Sequence, residues 1–244
     1  MTKCNRAINV FPTVRGRVVQ WDFDGGHVSS DGGSLLLSAA DRRLGLTAAA
    51  GDVFSDDRQP GKVRHSALAM FRQRVYALAM GYDDLIDHGS LRLDLGLQTA
   101  VDRDQPLAST STLCRFENTA GRQTAVALHS ILIEQFIASH SSPPEELILD
   151  FDATDDPVHG SQEGRFFNGF YRCYCFLPLY VFCGSFPLVA YLRSSNIDAA
   201  KHSWAVLRLL VLRLREQWPD VKIIFRGDSG FCRHRMLEWC NRHN

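Results

Sequence analysis

The spacing of hydrophobic residues changes along the chain, from helix-like before residue 141 to strand-like after residue 146. In residues 63–82 the large apolar side chains recur every three or four positions, which predicts an amphipathic helix; they are Leu68, Phe71, Val75 and Leu78. Further helices are predicted from a cap at Ser30 or Asp31 to a stop at Gly45, and over 107–118 and 124–140. Only residues 16–23 favour a strand in this part, which is therefore predicted to be mainly helical.

The second part alternates strands with helices. Strands are predicted over 147–153, 169–184, 187–193 and 221–228, with Pro178 and Gly184 as breaks. A helix is predicted over 197–219, where one face carries Trp204, Leu207, Val211, Leu214 and Trp218. The Ser-Ser-Pro-Pro run marks a linker at 141–146. We therefore predict an N-terminal domain over 1–140 and an α/β domain over 147–244.

Aspartates cluster where the predicted strands end. Asp150 and Asp152 are two positions apart, so an extended strand directs both to one face. Asp228 ends the strand predicted over 221–228. If the two strands are neighbours, Asp152 and Asp228 converge at one edge, and such hard oxygen ligands favour Mg²⁺ or Mn²⁺. For Asp155 and Asp156 a solvated turn before Pro157 is the simpler interpretation.

Charge and cysteine content set limits on partners and compartment. Lys plus Arg and Asp plus Glu both number 27, so nucleic-acid binding has to depend on local patches. The seven cysteines have no disulfide-framework spacing, and no signal peptide or membrane span is evident, which favours a reduced cytoplasmic protein. Cys173 and Cys175 lack the further ligands of a zinc site, and core cysteines are the alternative.

Local basic residues mark where DNA would bind. Arg72 and Arg74 lie off the apolar stripe of the helix predicted over 63–82. The short helix within 107–118 begins at Ser and Thr residues, among them Ser109 and Thr112, and carries Arg115. It fits the recognition element of a helix-turn-helix-like unit, and a plain capped surface helix is the alternative.

Several stretches, in order along nearly the whole chain, resemble those of bacterial insertion-sequence transposases of the DDE type, in the group around insertion sequence 1380. The stretches are "VSSDGGSLLLSAADRRLGL", "DRQPGKVRHS", "RVYALAMGYDDLIDHGSLRLD", "LASTSTLCRFEN", "LDFDATDDPVHGSQEGRFFNGFYRCYCFLPLYVFCG", "LRSSNIDA" and "RGDSGF". The resemblance implies a ribonuclease-H-like core, two-metal phosphoryl transfer, and an N-terminal region that binds double-stranded terminal inverted repeats. It also implies a homodimer when full length, working at the bacterial nucleoid.

The same resemblance assigns roles to individual residues. It places the first catalytic aspartate at Asp152, with Asp150 as the alternative, and the second at Asp228. The third carboxylate, a Glu on a helix well downstream, has no counterpart in the sequence, which predicts an incomplete catalytic core in a truncated transposase that does not cut DNA by itself. A DNA-binding fragment that inhibits transposition and an unrelated metal-dependent nuclease of the same fold are the competing functions.

Overall fold

The computed structural model describes residues 9–14, 16–21, 30–54, 56 and 58–243. The chain forms two compact units, Met1–Leu128 and His129–Asn244. The last residues of the strand predicted over 16–23, and most of the turn after it, lie outside the described residues.

In its described residues the first unit consists mainly of helices. Its strands form an antiparallel pair, β1 (Asn9–Val14) and β2 (Arg17–Trp21). Its helices are α1 (Gly33–Leu44), α2 (Leu46–Gly51), α3 (Ala67–Ala79), α4 (His88–Leu91), α5 (Leu95–Ala100), α6 (Thr110–Glu117) and the beginning of α7 (Arg122–Ala138). Gly45 ends α1 with a φ of 68°, a left-handed conformation that glycine adopts without strain.

The buried face of α3 differs from the predicted stripe. Leu78 is 49% exposed, whereas Gln73 is almost fully buried. The Gln73 amide donates to Ala108 O at 2.9 Å and accepts from Ala108 N at 3.0 Å, so a polar side chain replaces an apolar one in the core. The spacing of apolar residues predicted the helix, but it did not predict the hydrogen bonds between Gln73 and Ala108.

The second unit is built on a four-stranded sheet of order β8-β7-β3-β9. Its strands are β3 (Glu146–Ala153), β7 (Leu179–Cys183), β8 (Phe186–Tyr191) and β9 (Lys222–Gly227). β3 runs antiparallel to β7 and parallel to β9, and β7 runs antiparallel to β8. The helices α8 (Ser203–Gln217) and α9 (His234–His243) complete the unit.

The core of this unit follows the predicted patterns. Leu207, Val211 and Leu214 of α8, together with Trp218 just after its end, are buried against Leu149, Leu179 and other inward residues of the sheet. Phe136 and Ile137, near the end of α7, belong to the same core. Most of the predicted linker at 141–146 lies between α7 and β3, which begins at Glu146, and residues 129–140 of the predicted N-terminal domain belong to the second unit.

A second, smaller sheet is inserted between β3 and β7. It consists of β4 (Asp156–Pro157), β5 (Phe166–Asn168) and β6 (Cys173–Phe176) in the order β4-β6-β5. The β-type run predicted over 169–184 is therefore divided at Leu177 and Pro178 between two different sheets. The short β5 was not predicted, because three residues are too few to show a period.

Candidate functional site

Asp152 and Asp228 are brought together by the pairing of two parallel strands. The last pair in the ladder between β3 and β9 is Phe151 with Gly227, and the two aspartates are the next residues of each chain segment. Neighbouring strands are about 4.8 Å apart, so the aspartate backbones are side by side at the carboxyl ends of these strands. Both residues are exposed. The two strands are therefore neighbours, which is the condition on which the predicted convergence of Asp152 and Asp228 depends.

The loop after β9 holds Asp228 in a defined position. Its Oδ1 accepts a hydrogen bond from Gly230 N at 2.8 Å. A Cβ on Gly230 would be 2.9 Å from that oxygen, and a Cβ on Gly227 would be 3.2 Å from Cβ of Phe231. Phe231 is buried and packs edge-on against Phe151 with ring centroids 6.2 Å apart. The two glycines thus allow a tight turn that anchors Phe231 in the core and keeps the Asp228 carboxylate at the strand end.

Asp150, the alternative first aspartate, already has a strong partner. It lies opposite Arg226 in the ladder between β3 and β9, and the Nε and Nη2 atoms of Arg226 donate to its two carboxylate oxygens. The hydrogen bonds to Arg226 hold the pKa of Asp150 below its ordinary value. A carboxylate whose charge is balanced by arginine is a weaker cation ligand, so the geometry favours Asp152 over Asp150.

Tyr171 lies near the aspartates although no sequence pattern relates it to them. Its hydroxyl donates to Ala153 O, the residue after Asp152, at 3.1 Å. Burial raises the pKa of Tyr171, and the negative charges of Asp155, Asp152 and Asp228 raise it further. Asp155 is half-buried and its Oδ2 is 3.9 Å from the thiol of Cys173, so it is less solvated than a simple turn residue. Negative charge is therefore concentrated at this edge of the sheet.

The structure places Asp152 and Asp228 at the ends of paired strands, and it shows no complete ligand set. Among the described residues, no group of three or more His, Cys, Asp and Glu side chains is placed to hold a metal ion. Glu238 is the only acidic residue after Asp228, and it pairs on its own helix with His234 and Arg242. Cys175 is fully buried and Cys173 half-buried, and both are free thiols.

Two of the arginines predicted to bind DNA have partners inside the first unit. Arg72 donates to Asp102 Oδ2 and Thr47 Oγ1, both at 2.9 Å, and its side chain is only 15% exposed. Arg74 donates to Glu117 Oε1 at 2.5 Å and to Asp83 O at 3.2 Å. Both guanidinium groups therefore stabilise the fold, and this is evidence against their predicted role in DNA binding.

The other predicted DNA contacts are more accessible. Ser109 precedes α6, and its hydroxyl is 3.0 Å from Thr112 Oγ1 rather than capping a backbone N–H. Arg115 is exposed on the same helix, and its Nη2 is 3.4 Å from Thr112 Oγ1. Arg115 and Thr112 also line a cleft of about 630 Å³ together with Arg58. This end of α6 presents hydroxyls and a cation to solvent.

Comparison with known proteins identifies the family. The chain matches the family model described as "Transposase DDE domain group 1" over residues 11–244. No curated protein and no solved structure matches the chain. Within the described residues, no helix has the length and apolar character needed to span a membrane. Because the match extends over nearly all of the sequence, the chain belongs to the DDE domain group 1 family of transposases.

Proposed function

We propose that this protein is the transposase of a bacterial insertion sequence of the group around insertion sequence 1380. Such an enzyme cuts phosphodiester bonds at the terminal inverted repeats of the element and joins the freed ends to target DNA at the nucleoid. Asp152 and Asp228 are the catalytic aspartates of the proposal. The single observation that supports it most is their adjacency at the carboxyl ends of the parallel strands β3 and β9.

The sheet supports a ribonuclease-H-like core for this activity. Three of its strands form an antiparallel meander-like set, β3 with β7 and β7 with β8, and β9 adds to the other side of β3 in parallel. In sheets that contain parallel strands, polar residues at the carboxyl ends of those strands form the usual ligand site. The aspartates occupy that position.

The donor atoms at this edge fit a divalent cation. Asp152 and Asp228 offer exposed carboxylate oxygens, the ligands that Mg²⁺ and Mn²⁺ prefer. Such ions, when bound, supply charge that activates the attacking oxygen and stabilises the leaving oxygen of a phosphodiester. Two neighbouring carboxylates repel each other without a cation, so binding is favoured by the relief of that repulsion. We assign Asp152 and Asp228 to holding the ion and orienting the phosphate.

The described residues supply two of the three carboxylates that the family resemblance implies. Positioning accounts for much of the rate in phosphoryl transfer, and two carboxylates position a metal ion less well than three. We therefore expect residues 1–244 to bind divalent cations and DNA without cutting the DNA.

DNA recognition is assigned to α6 in the first unit. Arg115, Ser109 and Thr112 are the proposed contacts to double-stranded terminal repeats, because serine and threonine hydroxyls and arginine are common donors to phosphates and base edges. Arg72 and Arg74 hold the helices beneath in place through their internal partners. Binding should weaken steeply with salt, since phosphate contacts release counterions.

The proposal is tested by Mn²⁺ titration followed by electron paramagnetic resonance, in which bound Mn²⁺ loses the signal of the free ion. Asp152→Asn and Asp228→Asn are expected to weaken binding by more than about ten-fold, since even partners of metal ligands typically contribute that much. Asp220→Asn is the matched control, because Asp220 is an exposed aspartate just before β9, at its opposite end. Equal Mn²⁺ binding by all three variants and the wild type would refute the site.

Two further comparisons sharpen the result. Asp150→Asn is expected to retain Mn²⁺ binding, because Asp150 is paired with Arg226. Loss of Mn²⁺ binding in Asp150→Asn, with Mn²⁺ binding retained in Asp152→Asn, would assign the first catalytic position to Asp150. Cleavage of a labelled terminal-repeat duplex by residues 1–244 in Mn²⁺, abolished by Asp228→Asn, would show that a third ligand is present within these residues.

A further inference from the structure

The small sheet presents an exposed face made of aromatic rings and a guanidinium group. Phe167 of β5 and Tyr174 of β6 are a cross-strand pair whose ring centroids are 5.5 Å apart. The guanidinium of Arg165 lies 4.5 Å from the centroid of the Tyr174 ring. Phe167 and Tyr174 are 56% and 52% exposed, although aromatic rings contribute most to stability when buried. We call Arg165, Phe167 and Tyr174 the outer face of the hairpin formed by β5 and β6.

The tip of the hairpin extends this surface and is held in one conformation. Phe170 is 87% exposed, the highest value among the exposed large hydrophobic side chains of the described chain. The Asn168 Oδ1 atom accepts from Phe170 N at 3.0 Å and from Tyr171 N at 3.3 Å. Arg172 adopts a φ of 58°, an unfavourable region for a residue with a side chain, and its N–H donates to Asn168 O at 2.8 Å. A strained, well-bonded turn that displays an aromatic ring to solvent is typical of a binding element.

The hairpin is joined to the aspartate edge at its turn. Tyr171, next to Phe170, donates its hydroxyl to Ala153 O, one residue after Asp152. On β6, Cys173 lies 3.9 Å from Asp155. The turn that carries Phe170 therefore lies beside the strand end that carries Asp152.

We propose that the outer face and Phe170 stack on unpaired nucleobases of the DNA strand whose phosphate binds at Asp152 and Asp228. This inference rests on the proposed function. Bases stack on aromatic rings and on guanidinium planes regardless of sequence, and arginine adds attraction for the phosphates. Arg165 and Arg172 supply that positive charge on the hairpin itself, which fits a polyanion better than an apolar protein partner. The hairpin thus keeps a strand end open next to the proposed metal site.

The experiment compares two DNA probes that differ only in unpaired bases. One is a short blunt duplex, and the other carries an unpaired 3′ extension that contains 2-aminopurine, whose fluorescence reports base stacking. Binding to the 244-residue chain is measured in Ca²⁺, so that binding is separated from cleavage. The wild type is expected to bind the extended probe about ten-fold more tightly than the blunt one, the order of one or two stacked bases.

Variants locate the preference on the hairpin. Phe167→Ala combined with Tyr174→Ala, and Phe170→Ala alone, are expected to remove most of the ten-fold preference and the 2-aminopurine signal, with blunt-duplex affinity unchanged. Phe167→Tyr keeps an aromatic ring and should keep the preference, which separates loss of stacking from loss of folding. Leu209→Ala is the control for removing an exposed apolar side chain, since Leu209 is 65% exposed on α8.

The outcomes separate this inference from the proposed function. Mn²⁺ binding at Asp152 and Asp228 with equal affinity for both probes would overturn the role of the hairpin and leave the proposed function intact. Absence of both metal and DNA binding would overturn both. Sedimentation that shows a dimer in the wild type and a monomer in the hairpin variants, without a change in DNA preference, would instead assign the face to a second copy of the chain and overturn the inference.

Discussion

Aspartates in the two units of the chain have opposite environments. In the first unit Asp41 is buried, and its carboxylate accepts hydrogen bonds from Thr47 N at 2.8 Å, Thr47 Oγ1, and Tyr76 OH at 2.9 Å. In the second unit Asp152 and Asp228 are exposed at the ends of neighbouring strands. The Asp41 carboxylate is hydrogen-bonded inside the protein, whereas the like charges of Asp152 and Asp228 are exposed to an external ligand. The number of internal partners, rather than the residue type, separates a structural carboxylate from a candidate ligand.

The arginines show the same contrast within the first unit. Arg72 is 15% exposed and bonded to Thr47 and Asp102, next to Asp41. Arg115 is exposed and its side chain is directed along α6, near Thr112. From this comparison, substitutions at buried charges should change stability, and substitutions at exposed ones should change binding.

The largest effect is expected at Asp41. Asp41→Asn keeps the size of the side chain but directs an NH₂ group at Thr47 and Tyr76, which are donors in the wild type. Breaking a buried charge network by removing one partner typically costs about 3–5 kcal/mol in the free energy of unfolding. Urea denaturation measures this, with Asp220→Asn as the exposed control. A loss below about 1 kcal/mol would mean that burial does not distinguish the two kinds of aspartate.

A pH-dependent loss of stability is expected next, through His88. Burial, followed by the nearby charge of Arg74, lowers the pKa of His88 to about 4 from its ordinary 6.5. Its ring nitrogens face Gln73 Nε2 at 3.0 Å and Arg74 Nη1 at 3.2 Å, both of which carry hydrogens, so a protonated ring has no acceptor there. Between these two pKa values the unfolded chain binds more protons than the folded one, so stability falls as pH decreases from about 6.5 toward 4.

The size of this loss follows from the shift. One pKa unit corresponds to about 1.4 kcal/mol. The lowered pKa of His88 is therefore expected to reduce the free energy of unfolding by about 3 kcal/mol once the pH reaches 4. Urea denaturation at several pH values in this window should show a smaller slope for His88→Gln than for the wild type. His65, whose pKa burial also lowers to about 4, is expected to account for a remaining slope in that variant. An unchanged slope in His88→Gln would contradict the assignment.

A smaller effect, on binding rather than stability, is expected at Arg115. Arg115→Ala should weaken binding to a terminal-repeat duplex by about 1–3 kcal/mol if the guanidinium contacts a base edge. The intact chain is used, because the end of α7 packs in the second core. Arg208→Ala is the control, since Arg208 is exposed on α8. Equal losses in the two variants would indicate general electrostatic attraction, not a contact made by α6.

The smallest change in stability is expected at Asp152 and Asp228. Asp152→Asn and Asp228→Asn remove one of two neighbouring charges from an exposed site, so the free energy of unfolding should change by about 0.5 kcal/mol or less without metal. Added Mn²⁺ should then raise the melting temperature of the wild type but not of the variants, because only the wild type binds it tightly. A large loss of stability without metal would indicate that these carboxylates stabilise the fold, as Asp41 does.

Sequence patterns predicted the elements better than the partners of individual side chains. The apolar face of α8 and the stop of α1 at Gly45 depend on local spacing and local conformation, and the structure confirms both. The aspartates could be placed at strand ends for the same reason. The internal roles of Arg72 and Arg74 could not be predicted, because their acceptors at Asp102 and Glu117 are distant in sequence.

The outer face of the hairpin shows a second limit. Its strands are so short that their alternation cannot be read, and the exposure of Phe170 depends on a turn that Asn168 and Arg172 close. Tyr171 was missed as a neighbour of the aspartates because its contact is with the backbone of Ala153. Contacts to backbone atoms leave no residue-type signature in a sequence.

The parallel pairing of β3 with β9 also has a consequence for the order of events during synthesis. Asp150 and Arg226, which face each other in that ladder, are separated by 76 residues. Ribosomes add about 5–20 residues per second, so β9 is synthesised roughly 4–15 s after β3. Throughout that interval the first aspartate has no second aspartate beside it, and a nascent chain lacks the paired carboxylates. The proposed cation site is therefore among the last features of the second unit to form, and the growing chain remains without it until β9 has left the ribosome.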